Sequence, residues 1–117
     1  MRLNEISFND ALPIDSYGPG FFRIGGEVIE GPVLLVPEGV SSWVGYEGPA
    51  PILKHAQDLD ILFVGTGADT QHIPADFRAA IEKTEIGLEP MATPAACRTY
   101  NILLSEGRRV GAALIPV

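Results

Sequence analysis

The sequence predicts an α/β fold of three layers, β/β/α. An N-terminal antiparallel hairpin layer packs on a C-terminal βαβαβ parallel layer. Three observations carry this expectation. Leu59-Asp60-Ile61-Leu62-Phe63-Val64 is an apolar run closed by Gly65-Thr66-Gly67, the pattern of a strand covered on both faces. From Asp60 onward, strand-like and helix-like stretches alternate, as right-handed crossovers between parallel strands require. Upstream, Gly25-Gly26 separates Phe21-Phe22-Arg23-Ile24 from Glu27-Val28-Ile29-Glu30, a hairpin signal.

Residues 1–20 place Ile6, Phe8, Ile14 and Tyr17 among polar residues and end on Gly18-Pro19-Gly20, which reads as an irregular or edge strand. After the hairpin, Gly31-Pro32 makes a stop, and Val33-Leu34-Leu35-Val36 is a further strand ended by Pro37 and Gly39. Residues 41–51, with Trp43, Tyr46 and several glycines and prolines, read as the least regular part. A short helix is expected over 52–57, and Asp60 to Val64 then takes the centre of a sheet.

Pro74 stands at a first helical position, and Phe77, Ala80 and Ile81 share one helical face through Lys83. Gly87 to Met91 is a short strand. Thr93-Pro94 reads as a cap followed by proline, opening a helix whose apolar face is Ala96, Tyr100, Leu103 and Leu104 and whose stop is Gly107. Val110 to Ile115 is the third parallel strand.

The 117 residues suit one domain, 1–117, with a core of its own. Fifteen acidic against 8 basic residues give a formal charge of -7, so no basic stripe exists to displace counterions, which argues against nucleic acid as a partner although a local Arg108-Arg109 pair remains. One cysteine forms no internal disulfide and fits a reducing compartment. No apolar run spans a bilayer and the first 20 residues lack the pattern of a secretory leader, so the expectation is a cytoplasmic protein, at most peripheral to a membrane complex. Apolar residues of the N-terminal layer could support a dimer as readily as cover a monomer.

In open α/β sheets, ligands collect beyond the carboxyl ends of the parallel strands. That rim carries Gly65, Thr66 and Gly67 after one strand and Met91 and Thr93 after the next. The glycines lack the spacing of a dinucleotide fingerprint, so they either shape a tight turn or let a ligand approach the backbone. Arg98, Asn101 and Ser105 share a helix face, where an arginine could clamp an anion or a partner's carboxylate or be merely solvated. Trp43 joins these residues as either a lid over the core or an anchor for a partner. Cys97 reads as a small buried hydrophobe rather than a nucleophile. His55 and His72 have no acidic or cysteine neighbour at ligand spacing, and the serines lack a nucleophile elbow. No catalytic set, cofactor site or metal site is therefore expected.

Taken together, Tyr17-Gly18, Phe22-Arg23-Ile24, Gly31-Pro32-Val33-Leu34-Leu35, Trp43, Gly65-Thr66-Gly67, Gly87-Leu88-Glu89-Pro90-Met91, Thr93, Ala96, Arg98-Thr99-Tyr100-Asn101, Glu106-Gly107-Arg108 and Ala112 to Pro116 form a combination. It resembles a family of small, uncharacterised bacterial and archaeal domains that includes the mitochondrial NADH dehydrogenase (complex I) assembly factor 3. The resemblance implies a three-layer fold and no established enzymatic activity. It also implies an accessory role among respiratory complex subunits or other assembly factors. The stretch 41–51 departs most from the family's pattern. Two functions stand side by side: a non-catalytic binding or assembly protein, and a small metabolite binder or enzyme gripping an anion at the rim with Thr66, Gly67, Thr93 and Arg98.

Overall fold

A computed structural model describes residues 11–117, so the expectation for Ile6 and Phe8 lies outside the described residues. The chain runs β1 (Ile14–Gly18), β2 (Phe21–Ile24), β3 (Glu27–Glu30), β4 (Val33–Val36), β5 (Gly39–Ser42), α1 (Ala50–Leu53), β6 (Ile61–Thr66), α2 (Ala75–Glu82), β7 (Gly87–Met91), α3 (Thr93–Ser105) and β8 (Val110–Ile115). The strands form a three-stranded sheet ordered β1-β2-β3 and a five-stranded sheet ordered β5-β4-β8-β6-β7.

Strands β2 and β3 pair antiparallel with Ile24 opposite Glu27. The two-residue connection, Gly25 at φ 60° and Gly26 at φ 81°, has the left-handed geometry of a hairpin turn that matches the twist of its strands. Strand β1 adds to the other flank of β2 with a bulge between Ile14 and Ser16.

The division between layers differs from the expectation. Strand β4 does not stay with the hairpin; it pairs antiparallel with β8, Leu34 opposite Ala113, and so carries the N-terminal half into the main sheet. Its residues are all buried, which is the burial of an internal strand covered on both faces. Strand β5, unforeseen in the sequence, folds back on β4 with Val36 opposite Gly39. The helix expected over 52–57 sits two residues earlier, at Ala50–Leu53, and continues as turns.

Strand β6 is internal as expected, lying parallel to both β7 and β8, although β8 holds the middle of the five. Its side chains alternate between two cores. Phe63 joins Phe22, Ile24, Ile29, Leu35, Ala112, Leu114 and the α3 residues Ala96, Cys97 and Tyr100. Leu62 and Val64 join Leu34, Trp43, Ile52, Ala113 and the α2 residues Phe77 and Ile81. The three-stranded sheet and α3 thus cover one face of the main sheet, and α1 and α2 the other. Helices α2 and α3 fall on opposite faces because the second crossover doubles back across β6 while right-handedness is kept.

Helix α3 ends as its glycine suggests. Gly107, at φ 78°, donates to the Leu104 carbonyl, and Arg108 N–H donates to the Leu103 carbonyl, which together satisfy the last turn. Strand β7 is one of the two outer strands of the main sheet, where Pro90 can sit without breaking an interior ladder.

Candidate functional site

Helix α3 decides the geometry of the first candidate site. The Asn101 amide closes a reciprocal pair with the backbone of Ile14: Ile14 N–H donates to Oδ1 at 2.8 Å, and Nδ2 donates to the Ile14 carbonyl at 2.9 Å. The preceding residue, Tyr100, is fully buried, and its hydroxyl donates to the Leu12 carbonyl at 2.9 Å. An amide side chain thus completes β1 where a neighbouring strand would otherwise stand, and Asn101 is a fastener rather than a ligand-gripping group.

Between α3 and β1 lies a cleft of about 330 Å³, lined by Tyr17, Pro94, Cys97, Arg98 and Ile102 among others. Tyr17 is 39% and Ile102 51% exposed, two of the three exposed large hydrophobic side chains among the described residues. The Arg98 side chain borders them, exposed and one turn before Ile102. Cys97 forms part of the floor and is buried. Burial pushes its thiol up to about 12, so at neutral pH it is protonated and a poor nucleophile. Burial likewise raises the Tyr100 hydroxyl.

The rim of the parallel strands is closed on itself. Thr93 is fully buried; its hydroxyl donates to the Ile115 carbonyl at 2.6 Å and accepts from Gly67 N–H at 2.8 Å. Thr93 N–H returns a bond to the Gly67 carbonyl at 2.8 Å. The Thr66 hydroxyl lies 2.7 Å from the Asp69 carbonyl and 3.2 Å from the Met91 carbonyl, and accepts from Gln71 N–H at 3.0 Å. Gly65 makes the closeness possible, since a Cβ there would stand 2.7 Å from Thr93 Oγ1 and 2.8 Å from Leu114 Cδ2. This corrects the capping role expected of Thr93: the N-cap is Ala92, without a side-chain cap, because the threonine hydroxyl is taken by the ends of β6 and β8.

Trp43 lies on the opposite face as a lid over the core, 4% exposed. Its indole N–H donates to the Gly48 carbonyl at 3.0 Å. Its ring meets Tyr46 edge-on at 5.7 Å and Phe77 at 5.9 Å, and Tyr46 and Phe77 are 5.2 Å apart. Beside them opens a second hollow of about 380 Å³.

The eight residues singled out from the sequence therefore do not make one cleft. Gly65, Thr66, Gly67 and Thr93 form the closed rim, with the Met91 carbonyl in it and the Met91 side chain packed on the first core. Arg98 and Asn101 belong to the α3–β1 cleft, and Trp43 to the aromatic group. Sequence reasoning missed Tyr17 and Ile102 as partners of Arg98: Ile102, one turn on in the same helix, was legible from the i,i+4 spacing, whereas Tyr17 joins them only through the packing of β1 beside α3. It also missed the setting of His55, whose Nδ1 lies 2.9 Å from Glu38 Oε1 and 3.8 Å from Asp58 Oδ2. Asp58, three residues on, was the signal available. Arg109 is not free for an anion either, since its guanidinium forks onto Asp60 at 2.7 and 3.4 Å. That contact holds the exposed Asp60 carboxyl below its ordinary value.

Among the described residues no helix is long and apolar enough to cross a membrane. An uncharacterized protein of Rhodobacter capsulatus is 47% identical over 117 residues, covering all of this chain and 94% of that protein. The rat NADH dehydrogenase [ubiquinone] 1 alpha subcomplex assembly factor 3 is 35% identical over 123 residues, covering 99% of this chain; the chain spans 66% of that factor's length. A crystal structure described as an outer membrane protein from Bartonella henselae superposes with a TM-score of 0.86 at 32% identity, covering 94% of this chain and 98% of that one. The family described as "Protein of unknown function (DUF498/DUF598)" matches residues 14–115, nearly the whole described fold, and the chain belongs to that family.

Proposed function

We propose that the protein is a non-catalytic docking protein that assists the assembly of a respiratory NADH dehydrogenase, holding a partner subunit or a fellow assembly factor in the α3–β1 cleft. The reading places it in the cytoplasm, peripheral to the membrane complex. One observation carries it: the cleft sets exposed apolar side chains, Tyr17 and Ile102, around an accessible guanidinium, Arg98. Aromatic and arginine anchors in one patch are the composition of interface hot spots. Kinship with a protein named as an assembly factor supplies the class of partner. The sealed, protonated Cys97 and the internally bonded rim threonines support a binding role over a catalytic one.

The test is genetic and biochemical. Deleting the gene in its host should lower membrane NADH dehydrogenase activity and the amount of intact complex on native gels. The wild-type gene should restore both, and a folded Arg98→Glu/Ile102→Asp variant should not. Full assembly in the deletion strain would overturn the proposal.

A further inference from the structure

A hollow opens beside Trp43, on the opposite face of the main sheet from the α3–β1 cleft. Its walls are Tyr46, Pro49, Pro74 and Phe77, and its remaining lining residues, Glu47 and Asp76, are both acidic and exposed. Among the described residues no basic side chain lines it. We infer that this hollow takes the arginine side chain of a partner protein's exposed segment, the guanidinium between the Glu47 and Asp76 carboxylates and its stem along the rings and prolines.

The chemistry favours that occupant over others. A guanidinium stacks on an aromatic ring and meets carboxylates with a planar fork of donors, while its methylene stem is itself apolar. An anion would face two carboxylates. A purely apolar group would draw nothing from the two carboxylates and would strip water from them. Asp76 also sits in the first turn of α2, where an acid suits the helix start; that explains one carboxylate and not the second, which comes from a different loop.

The hollow is preformed. Trp43 pins the loop through the Gly48 carbonyl, Gly48 N–H donates to the Gly45 carbonyl at 2.9 Å, and the three rings brace one another. A pocket that keeps its shape when empty loses less ordering entropy on binding. Val44, 78% exposed on the same loop, offers an apolar contact to the residue beside the arginine. The chain's formal charge of -7 favours a basic partner's approach. This inference is independent of the α3–β1 proposal and stands or falls on different residues.

Trp43 is the only tryptophan and touches two rings of the hollow, so its emission reports occupancy. The probe is an acetyl-Arg-Leu-amide peptide, with acetyl-citrulline-Leu-amide as its neutral isostere. The arginine peptide should change Trp43 emission saturably and shift the amides of residues 44–48 and 75–77. Citrulline should bind about tenfold more weakly or worse, a difference of ~1.4 kcal/mol. Glu47→Gln alone, and with Asp76→Asn, should weaken the arginine peptide by a similar factor without lowering the melting temperature. Equal binding of the two peptides, shifts centred elsewhere, an unaffected Glu47→Gln variant, or no saturation by about 10 mM would each overturn the inference.

Discussion

Replacing Thr93 with valine keeps the branched outline of the side chain and removes one oxygen. That oxygen accepts from Gly67 N–H at 2.8 Å and donates to the Ile115 carbonyl at 2.6 Å, in a residue with no exposure. The valine strands the buried Gly67 N–H, at about 1–3 kcal/mol, and removes the donor to Ile115, for about 1 kcal/mol more. The expected loss is about 2–4 kcal/mol. Thr93→Ser keeps both bonds and gives up a methyl group, for about 0.5–1.5 kcal/mol. Urea unfolding followed by Trp43 fluorescence and circular dichroism separates the two. With a slope of about 1–3 kcal/mol per molar, a loss of ~3 kcal/mol moves the midpoint by roughly 1–3 M. A valine variant within about 0.5 kcal/mol of wild type, or a serine variant less stable than the valine one, would refute the account of the rim as a structural knot.

Three further outcomes follow from the same geometry. Asn101→Ala loses both bonds to Ile14 and should cost about 2 kcal/mol, with hydrogen-exchange protection falling in β1 while the main sheet keeps its own; a uniform loss would contradict the fastener role. Gly65→Ala should cost about 1–3 kcal/mol by overpacking, and a Gly65→Ala/Thr93→Ala double variant should be more stable than the two single losses sum to, because the contact at 2.7 Å is gone. Cys97, raised to about 12, should resist thiol reagents at pH 8 until the protein unfolds. The sign of its linkage is set by the neutral form being favoured in the fold: the contribution is intact below the ordinary thiol value of 9.0 and is lost as pH rises from there toward 12. Stability should fall by up to about 1.4 kcal/mol per pH unit per group over that window, and Cys97→Ala should flatten the slope between pH 8 and 10.5 in urea midpoints.

The strands that the sequence announced are those whose patterns are local. Phe21–Ile24 and Glu27–Glu30 flank a glycine pair, Gly87–Met91 and Val110–Ile115 are bounded by turns, and all four have the predicted ends. Strand β5 was illegible because Gly39-Val40-Ser41-Ser42 has one large apolar residue and no alternation to detect; its pairing with β4 through a two-residue connection defines it. Thr93-Pro94 has the local signature of a helix cap, but the Gly67 N–H, 26 residues upstream, and the Ile115 carbonyl, 22 downstream, compete for the hydroxyl and win. The α3–β1 cleft was half legible: Arg98 and Asn101 share a helical face, whereas Tyr17 joins them through contacts that span more than 80 residues of chain. Glu38 and His55, 17 residues apart, met for the same non-local reason.

The middle strand of the main sheet, β8, is the last of the strands in chain order. While the polypeptide emerges from the ribosome, β4 with β5 and β6 with β7 can each form a ribbon, and both ribbons display an unpaired backbone edge until residues 110–115 slide between them. Such a nascent chain is sticky during its synthesis and gains its full cohesion in a single late step, so premature termination upstream of Val110 yields two half-sheets rather than a smaller version of the domain.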